Sequence, residues 1–326
     1  MMTKPRIVVI GSLNMDIVVE TSRFPRVGET LTGEQVHFIP GGKGANQAVA
    51  AARLGGQTTM IGFVGDDMFG HSLIESLQQD AIHTSFVRKV KGKATGIASI
   101  ILAESDNQIV VIPGANDHFS PEHLHELEAV IAEHDIVLVQ LEIPLETAAA
   151  ACEIGKKAGK TVILNPAPAR PLPQSMLSCV DYITPNRLEL ATLTGLNTSG
   201  DGLQTAMEAL LDMGPRCIVT TLGEEGSAYL RKGETLRKVP AFRVPVVDTT
   251  GAGDAYNGGL AYALGAGSEL EEAVAFACKV SAIAVTKLGA QAGMPTSAEL
   301  DFKGSPGYFL ISCFFRIPDG PVNPTS

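Results

Sequence analysis

The run Asp248-Thr249-Thr250-Gly251-Ala252-Gly253-Asp254 carries the strongest chemical signal in this chain. It follows an extended run, Val244–Val247, and precedes an apolar helical stretch, Ala255–Leu264. Small residues opening a helix leave backbone N–H groups unpaired at the positive end of the helix dipole. That arrangement suits a phosphoryl group. Gly251, Ala252 and Gly253 let the backbone approach the anion closely, and Asp254 would sit within reach of it. A carboxylate beside a phosphate is electrostatically costly unless it acts, and taking the proton from an attacking hydroxyl is a task that fits. The alternative is a glycine-rich turn with Asp254 as a helix-capping residue.

Four further constellations stand at predicted element ends. Gly41-Gly42-Lys43-Gly44-Ala45-Asn46 opens a helix, with Lys43 and Asn46 suited to a sugar hydroxyl or a phosphate. It is not a phosphate loop of the GxxxxGK[ST] kind, because Gly44 follows Lys43, and it is not GxGxxG, because Gln47 stands three after Gly44. Gly11-Ser12-Leu13-Asn14-Met15-Asp16 follows the first strand, where open α/β sheets bind ligands. Asn14 and Asp16, one residue apart in extended chain, point to one side. Asn186 and Glu189 share a helix face and could hold a hydrated Mg²⁺, or simply form a helix cap. Thr220–Gly226 is a candidate nucleotide loop or an ordinary turn. His118, His123 and His125 resemble a metal cluster, but i,i+2 spacing does not share a helix face.

The elements that must position these residues read as alternating strands and helices. Strands are predicted at Arg6–Ile10, Thr59–Val64, Asp135–Gln140, Thr161–Asn165, Asp181–Thr184 and Cys217–Thr221. Helices are predicted at Ala45–Leu54, Gly70–Gln79, Pro121–Glu133, Leu145–Ala158 and Leu203–Met213. Most strands are continuously apolar, as strands covered on both faces should be. The alternation predicts βαβ units and a parallel sheet. Leu13–Pro40 and Thr95–Pro113 break that rhythm; the second reads as a hairpin, Thr95–Ala103 and Gln108–Pro113, around a turn at Glu104-Ser105-Asp106-Asn107. Both stretches are expected outside the main sheet, as a small β lid.

Composition excludes several functions. The chain has 326 residues, 45% of them hydrophobic and 18% charged, so disorder is excluded as the main state. Its net charge of −10 argues against a nucleic-acid partner. The cysteines, Cys152, Cys179, Cys217, Cys278 and Cys313, are odd in number, widely spaced and without CxxC. They point to a reducing compartment rather than a disulfide scaffold or structural zinc. No signal peptide precedes the first strand and no apolar run approaches a membrane span, so a cytoplasmic protein is expected.

Taken together, Gly41–Asn46 and Asp248–Asp254 resemble the two signatures of the ribokinase-like (PfkB) carbohydrate kinase family, the second at every position. The resemblance runs from about Arg6 to Pro295. It implies a three-layer αβα, Rossmann-like fold with a small β-sheet lid, and ATP-dependent phosphorylation of D-ribose at its 5-hydroxyl. It further implies that Asn14, Asp16, Gly42, Lys43, Asn46 and Glu142 hold the sugar, that Asp254 is the base, and that the Gly251–Gly253 amides form the anion hole. ATP would contact Asn186, Thr221, Gly223, Gly226, Gly253 and Cys278. A monovalent cation, K⁺, would lie among Asp248, Thr250, Ala284, Lys287, Gly289 and Gly293, with Mg²⁺ near Asn186 and Glu189 through water. Relatives clasp two lids into a homodimer. Siblings on other sugars or nucleosides, and a non-catalytic sugar-binding module on the same fold, are the competing readings; a dehydrogenase is disfavoured by the missing GxGxxG.

The domain reading is a kinase domain over residues 1–297, with lid segments at about 12–40 and 94–113, and an atypical tail over 298–326. There Phe302, Tyr308, Phe309, Phe314 and Phe315 crowd among prolines and glycines, where relatives close with a short amphipathic helix. Exposed aromatics of this kind would form a sticky patch and lower solubility.

Overall fold

The computed structural model describes residues 4–104 and 106–301; the aromatic tail from Phe302 onward lies outside them. In chain order the strands are β1 (Arg6–Ile10), β2 (Asn14–Glu20), β3 (Gln35–Gly41), β4 (Gln57–Gly65), β5 (His83–Val90), β6 (Gly96–Ala103), β7 (Asp106–Ile112), β8 (Ile136–Val139), β9 (Thr161–Leu164), β10 (Tyr182–Ile183), β11 (Cys217–Thr221), β12 (Ser227–Arg231) and β13 (Arg237–Val239). The helices are α1 (Lys43–Arg53), α2 (Met68–Gln79), α3 (Pro121–His125), α4 (Glu128–Ala132), α5 (Leu145–Lys157), α6 (Gln174–Leu177), α7 (Arg187–Thr194), α8 (Gly202–Asp212), α9 (Ala252–Gly265), α10 (Leu270–Ala284) and α11 (Ala290–Gly293).

A nine-stranded sheet in the order β13-β12-β11-β10-β9-β8-β1-β4-β5 forms the centre. It is parallel from β11 to β5, and β12 and β13 run antiparallel at one edge. β1 shows why its run is uniformly apolar. Val8 and Ile10 pack with α3 to α8 on one face; Ile7 and Val9 pack with α1, α2, α9 and α10 on the other. Three layers result. From β1 the chain winds out through β4 and β5 on one side and through β8 to β11 on the other. The switch between β1 and β8 opens a crevice at the carboxyl ends of these strands, where α/β folds bind ligands.

Small residues set how closely the helices of the second face approach. A Cβ on Gly258 of α9 would lie 2.4 Å from Ala50 Cβ of α1. One on Gly259 would lie 3.1 Å from Val280 Cβ of α10. α9 is therefore pressed against α1, which brings the start of α9 to the start of α1. Gly44 is tighter still: a Cβ there would stand 2.6 Å from Ser12 N and 2.7 Å from Gly11 C. Those are backbone atoms that cannot step aside. Gly44→Ala is expected to destabilise the fold by about 2–3 kcal/mol, measured as a lower urea midpoint with an unchanged slope.

A second sheet, in the order β3-β2-β6-β7, stands apart. Asp67 ties it to the main body: it caps α2 by accepting from Gly70 N at 2.8 Å, and accepts from Thr95 N at 2.7 Å just before β6. Val36, Phe38, Ile109, Val110 and Val111 of this sheet are exposed.

Several local expectations need correction. Pro121–Glu133 is two helices, because Leu127 leaves helical geometry (φ −113°, ψ 10°) and its N–H closes a three-residue turn on Leu124 O. The hairpin turn is shorter than expected, since Asp106 and Asn107 belong to β7, paired with Ala103 and Leu102; Glu104 takes φ +55° on entering it. Val244–Val247 forms no strand. β5 and β13 escape a reading by apolar runs because they are edge strands carrying charge, such as Arg88, Lys89, Arg237 and Lys238, which blunts an open edge; β12, paired on both sides, escapes it because its apolar run is only Ala228–Leu230. His123 packs its ring edge on Phe63 and His125 pairs with Glu128. Among the described residues no cluster of three or more metal-type ligands forms, and no helix is long and apolar enough to cross a membrane.

Candidate active site

The two glycine-rich helix starts meet in the crevice, but their backbone donors have different fates. At α1 the donors are consumed within the protein. Lys43 N donates to Glu142 Oε2 at 3.0 Å, Ala45 N to Ser12 O at 3.0 Å, and Asn46 N to Gly42 O at 2.8 Å. At α9 they are left open. Ala252 N is committed to Thr249 O at 3.2 Å, but among the described residues the N–H groups of Gly251, Gly253 and Asp254 make no hydrogen bond. Of the 251–254 amides expected to form an anion hole, that of Ala252 closes the preceding turn and the other three are open. Gly253 is exposed, and a Cβ there would meet nothing within 4 Å. Gly251 takes φ +75°, which the sharp entry into α9 requires.

Asp254 is 94% buried, with 6% of its surface exposed. Asn46 Nδ2 donates to its Oδ2 at 3.0 Å and Gln47 Nε2 to its Oδ1 at 2.9 Å. Facing it, Glu142 is the centre of a second cluster: Ser12 Oγ donates to Oε2 at 2.6 Å and Asn14 Nδ2 at 3.5 Å. Asn14 is held from behind by Asn116 Nδ2, which donates to its Oδ1 at 2.8 Å. Gly41 and Gly42 have no room for side chains. A Cβ on Gly41 would strike the Asp16 carboxylate at 2.4 Å, and one on Gly42, at φ +90°, would lie 2.7 Å from Asn14 N. Asn14, Asp16, Gly42, Lys43, Asn46, Glu142 and Asp254, dispersed in sequence, are therefore one cluster. It gathers one ammonium, three carboxylates and two carboxamides in a half-closed crevice, a set suited to a neutral ligand bearing several hydroxyls.

The charges act on each other. Burial, with Glu142 and Asp254 nearby and Lys43 opposing, raises Asp16 to about 7. Asp254 foremost, then Glu142, hold the Lys43 ammonium above the usual lysine range against burial. Folded Asp16 keeps its proton to about pH 7, whereas unfolded it loses it near 3.8. Between those values the native state binds more protons, so stability falls as pH rises. Asp16→Asn is expected to raise the melting temperature of the ligand-free protein at pH 8, with a smaller gain at pH 5. An equal gain at both pH values would refute this.

The neighbouring loops also converge. Asn186 and Thr221 form a β-bridge. Gly226 follows the short turn at Gly223–Glu225, and Ser227 Oγ lies 3.3 Å from Cys278 Sγ. This forms one ledge beside the open start of α9. Asn186 and Glu189 make a capping box: Asn186 Oδ1 accepts from Glu189 N and Glu189 Oε2 from Asn186 N, each at 2.8 Å. That was the alternative to a metal role, and it leaves Glu189 Oε1 without a hydrogen bond among the described residues. Burial raises Glu189 above its usual range, while the Asn186 N–H and Lys43 oppose this.

Behind the start of α9, Asp248 accepts from Thr250 N at 2.9 Å and Thr250 Oγ1 at 2.7 Å through one oxygen, and from Gly289 N at 2.8 Å through the other. A Cβ on Gly293 would lie 2.8 Å from Ala284 O. Asp248, Thr250, Ala284, Gly289 and Gly293 thus surround one loop junction. The Lys287 side chain turns away to Glu299, so only its backbone is available there.

Comparison with known proteins shows the family. The model of the pfkB family carbohydrate kinases matches residues 4–297. The chain belongs to this family. It is 42% identical over 299 residues to a ribokinase of Lactococcus lactis, covering 91% of this chain and 96% of that one. It is 41% identical over 295 residues to a ribokinase of Bacillus subtilis, covering 90% and 98%. The structure of Arabidopsis thaliana ribokinase complexed with ribose and ATP superposes with a TM-score of 0.88 at 34% identity, covering 91% of this chain and 98% of that one. A carbohydrate kinase with a three-layer α/β body and a small second sheet is therefore the frame for the site.

Sequence reading passed over Gln47, Asn116, Gln140, Asn165 and Gln291, the carboxamides that orient the charged groups. The one signal available was Gln47 following Asn46 at the start of a helix.

Proposed function

We propose that the protein transfers the γ-phosphoryl group of ATP to the 5-hydroxyl of D-ribose, giving D-ribose 5-phosphate and ADP. The observation that carries this reading is Asp254: a buried carboxylate, braced by two amide donors, at a helix start whose remaining amides are open. The ribokinases of L. lactis and B. subtilis support the choice of sugar. Asn14, Asp16, Gly42, Lys43, Asn46 and Glu142 bind and orient the sugar hydroxyls. Asp254 takes the 5-hydroxyl proton as the new O–P bond forms and the bond to ADP breaks. The open amides of Gly251, Gly253 and Asp254 stabilise the charge on the transferring group. In a loose transition state the proton leaves late, so a carboxylate is base enough.

The ledge of Asn186, Thr221, Gly223, Gly226 and Cys278 receives ATP, whose phosphates reach Gly253. The free Glu189 Oε1 fits Mg²⁺ held through water, with Asn186 beside it; the ion would neutralise phosphate charge. The hard oxygen donors at the Asp248–Gly293 junction fit a K⁺ ion, which would steady the loop carrying Gly251. Thr250 and the carbonyls of Ala284, Lys287, Gly289 and Gly293 are its candidate ligands.

The small sheet acts as a lid contributed by segments 12–40 and 94–113 of a single kinase domain. Its exposed Val36, Phe38, Ile109, Val110 and Val111 support a homodimer clasped through it. The acidic composition and free cysteines support a cytoplasmic enzyme without nucleic-acid or membrane partners.

The test is ADP release with D-ribose, 2-deoxy-D-ribose, fructose, adenosine and fructose 6-phosphate, with and without K⁺. Selective, K⁺-stimulated turnover of ribose supports the reading; selective turnover of another acceptor refutes the sugar assignment. Silence from folded protein on every acceptor would favour a binding module.

A further inference from the structure

Behind Asp254 lies a chain of buried carboxamides whose direction is determined. Gln47 Nε2 donates one hydrogen to Asp254 Oδ1 and the other to Asn165 Oδ1, at 2.9 and 3.0 Å. Gln47 Oε1 accepts from Gln140 Nε2 at 2.7 Å, and Asn165 Nδ2 donates to Thr184 O at 3.3 Å. On the other side Asn46 Oδ1 accepts from Gln291 Nε2 at 3.1 Å. Asp254 as a carboxylate and Thr184 O can only accept, so the donors must run toward them. Flipping Gln47 would set its oxygen against both Asp254 and Asn165, and its NH₂ against the NH₂ of Gln140. At the far end Gln140 Oε1 is buried without a partner, and a Cβ on Gly11 would fall 2.0 Å from it. Gln47, Gln140, Asn165 and Gln291 are each at most 6% exposed.

We propose that Gln47, locked as a donor by Gln140 and Asn165, is a positioning residue that holds the Asp254 carboxylate in place and aims it at the acceptor hydroxyl. The inference rests on the reading of Asp254 as the base. An amide donor on each carboxylate oxygen holds the group from behind. It also leaves each oxygen's outer lone pairs toward the crevice. Two donors from two successive residues of α1 fix the carboxylate plane, which a single donor would leave free to turn.

The test is kcat against pH at saturating ribose, with ribose affinity by calorimetry, for Gln47→Glu, Gln47→Met and Asp254→Ala. Asp16, raised to about 7, is common to wild type and the Gln47 variants, so its titration cancels in the comparison. The other charges sharing this field are Lys43 of α1, Glu142 beyond β8 and Glu189 of α7, and all are common to wild type and the Gln47 variants. Gln47→Glu can donate to Asp254 only by carrying a proton, so the pair shares one. Its acid limb should move up by at least about one pH unit, with kcat at pH 7.5 down about 10- to 100-fold and ribose affinity within about threefold. Gln47→Met, which lacks the donor but adds no charge, should lose about tenfold in kcat with ribose affinity within about threefold, and it carries the test where the Glu variant does not fold. A wild-type kcat and acid limb, or a kcat loss matched by lost ribose affinity, overturns the proposal. If Asp254→Ala is inactive while the Gln47 variants behave as wild type, only the positioning role falls; if Asp254→Ala keeps its turnover, the base assignment falls with it.

Discussion

Asp254→Asn is expected to lower kcat by about 10³-fold while leaving ribose affinity within a few-fold, because general-base assistance is typically worth 10²–10⁴. The surroundings dictate a second effect. Asn46 Nδ2 and Gln47 Nε2 both donate to this side chain, and each is held in that sense by Gln291 or by Gln140 and Asn165. An amide at 254 can accept only one of them and must turn its own NH₂ on the other. That leaves a buried donor unpaired, at a cost of about 1–3 kcal/mol. The variant should melt lower than wild type yet remain folded. Asp254→Ala removes the base without adding a competing donor, so the pair separates chemistry from stability. Turnover within tenfold of wild type in both variants would remove Asp254 from the mechanism.

Gly253→Val should leave the fold intact and nearly abolish turnover. A Cβ at this position meets no atom within 4 Å, and Gly253 does not need a left-handed backbone. The melting temperature should therefore stay within about 2 °C, since surface changes of this kind are usually worth under about 0.5 kcal/mol. The same empty space is where a phosphoryl group would approach the open amides of Gly251, Gly253 and Asp254. Two methyl groups there hold the anion away, and loss of such donors costs about 10²–10³ in kcat. Calorimetric ribose binding should persist, because the sugar cluster centres on Glu142 and Asn14. Wild-type kcat together with a wild-type melt would place the anion elsewhere. Gly251→Val is the contrast: it sits at φ +75° with a Cβ 2.9 Å from Ala290 Cα, so that variant should lose stability as well.

What could be read in the sequence follows from locality. Strands covered on both faces must be apolar throughout, so β1 and β11 were predicted at their observed ends, Arg6–Ile10 and Cys217–Thr221. A helix opened by small residues exposes amides wherever it stands, so Asp248–Asp254 announced an anion site without its surroundings. The two signatures carried the family. Edge strands β5 and β13 were not legible, because an edge tolerates charge and interrupts the apolar run, and the interior strand β12 was not because its apolar run is only Ala228–Leu230.

Only the tertiary structure decided which donors remain free. Gly41–Asn46 and Gly251–Asp254 look alike as glycine-rich helix starts. Glu142 and Ser12, distant in sequence, cap the first, and among the described residues no side chain caps the second. It also decided that Asn186 and Glu189 cap each other and that Ala252 N–H is spent on Thr249 O. Above all it assembled the carboxamides of Gln47, Gln140, Asn165 and Gln291 around Asp254 and its partner Asn46, from four separate parts of the chain. A neutral amide has no periodicity and no charge pattern to betray it. Its meaning is the direction in which it donates, and that is set by partners that only folding brings within hydrogen-bond distance.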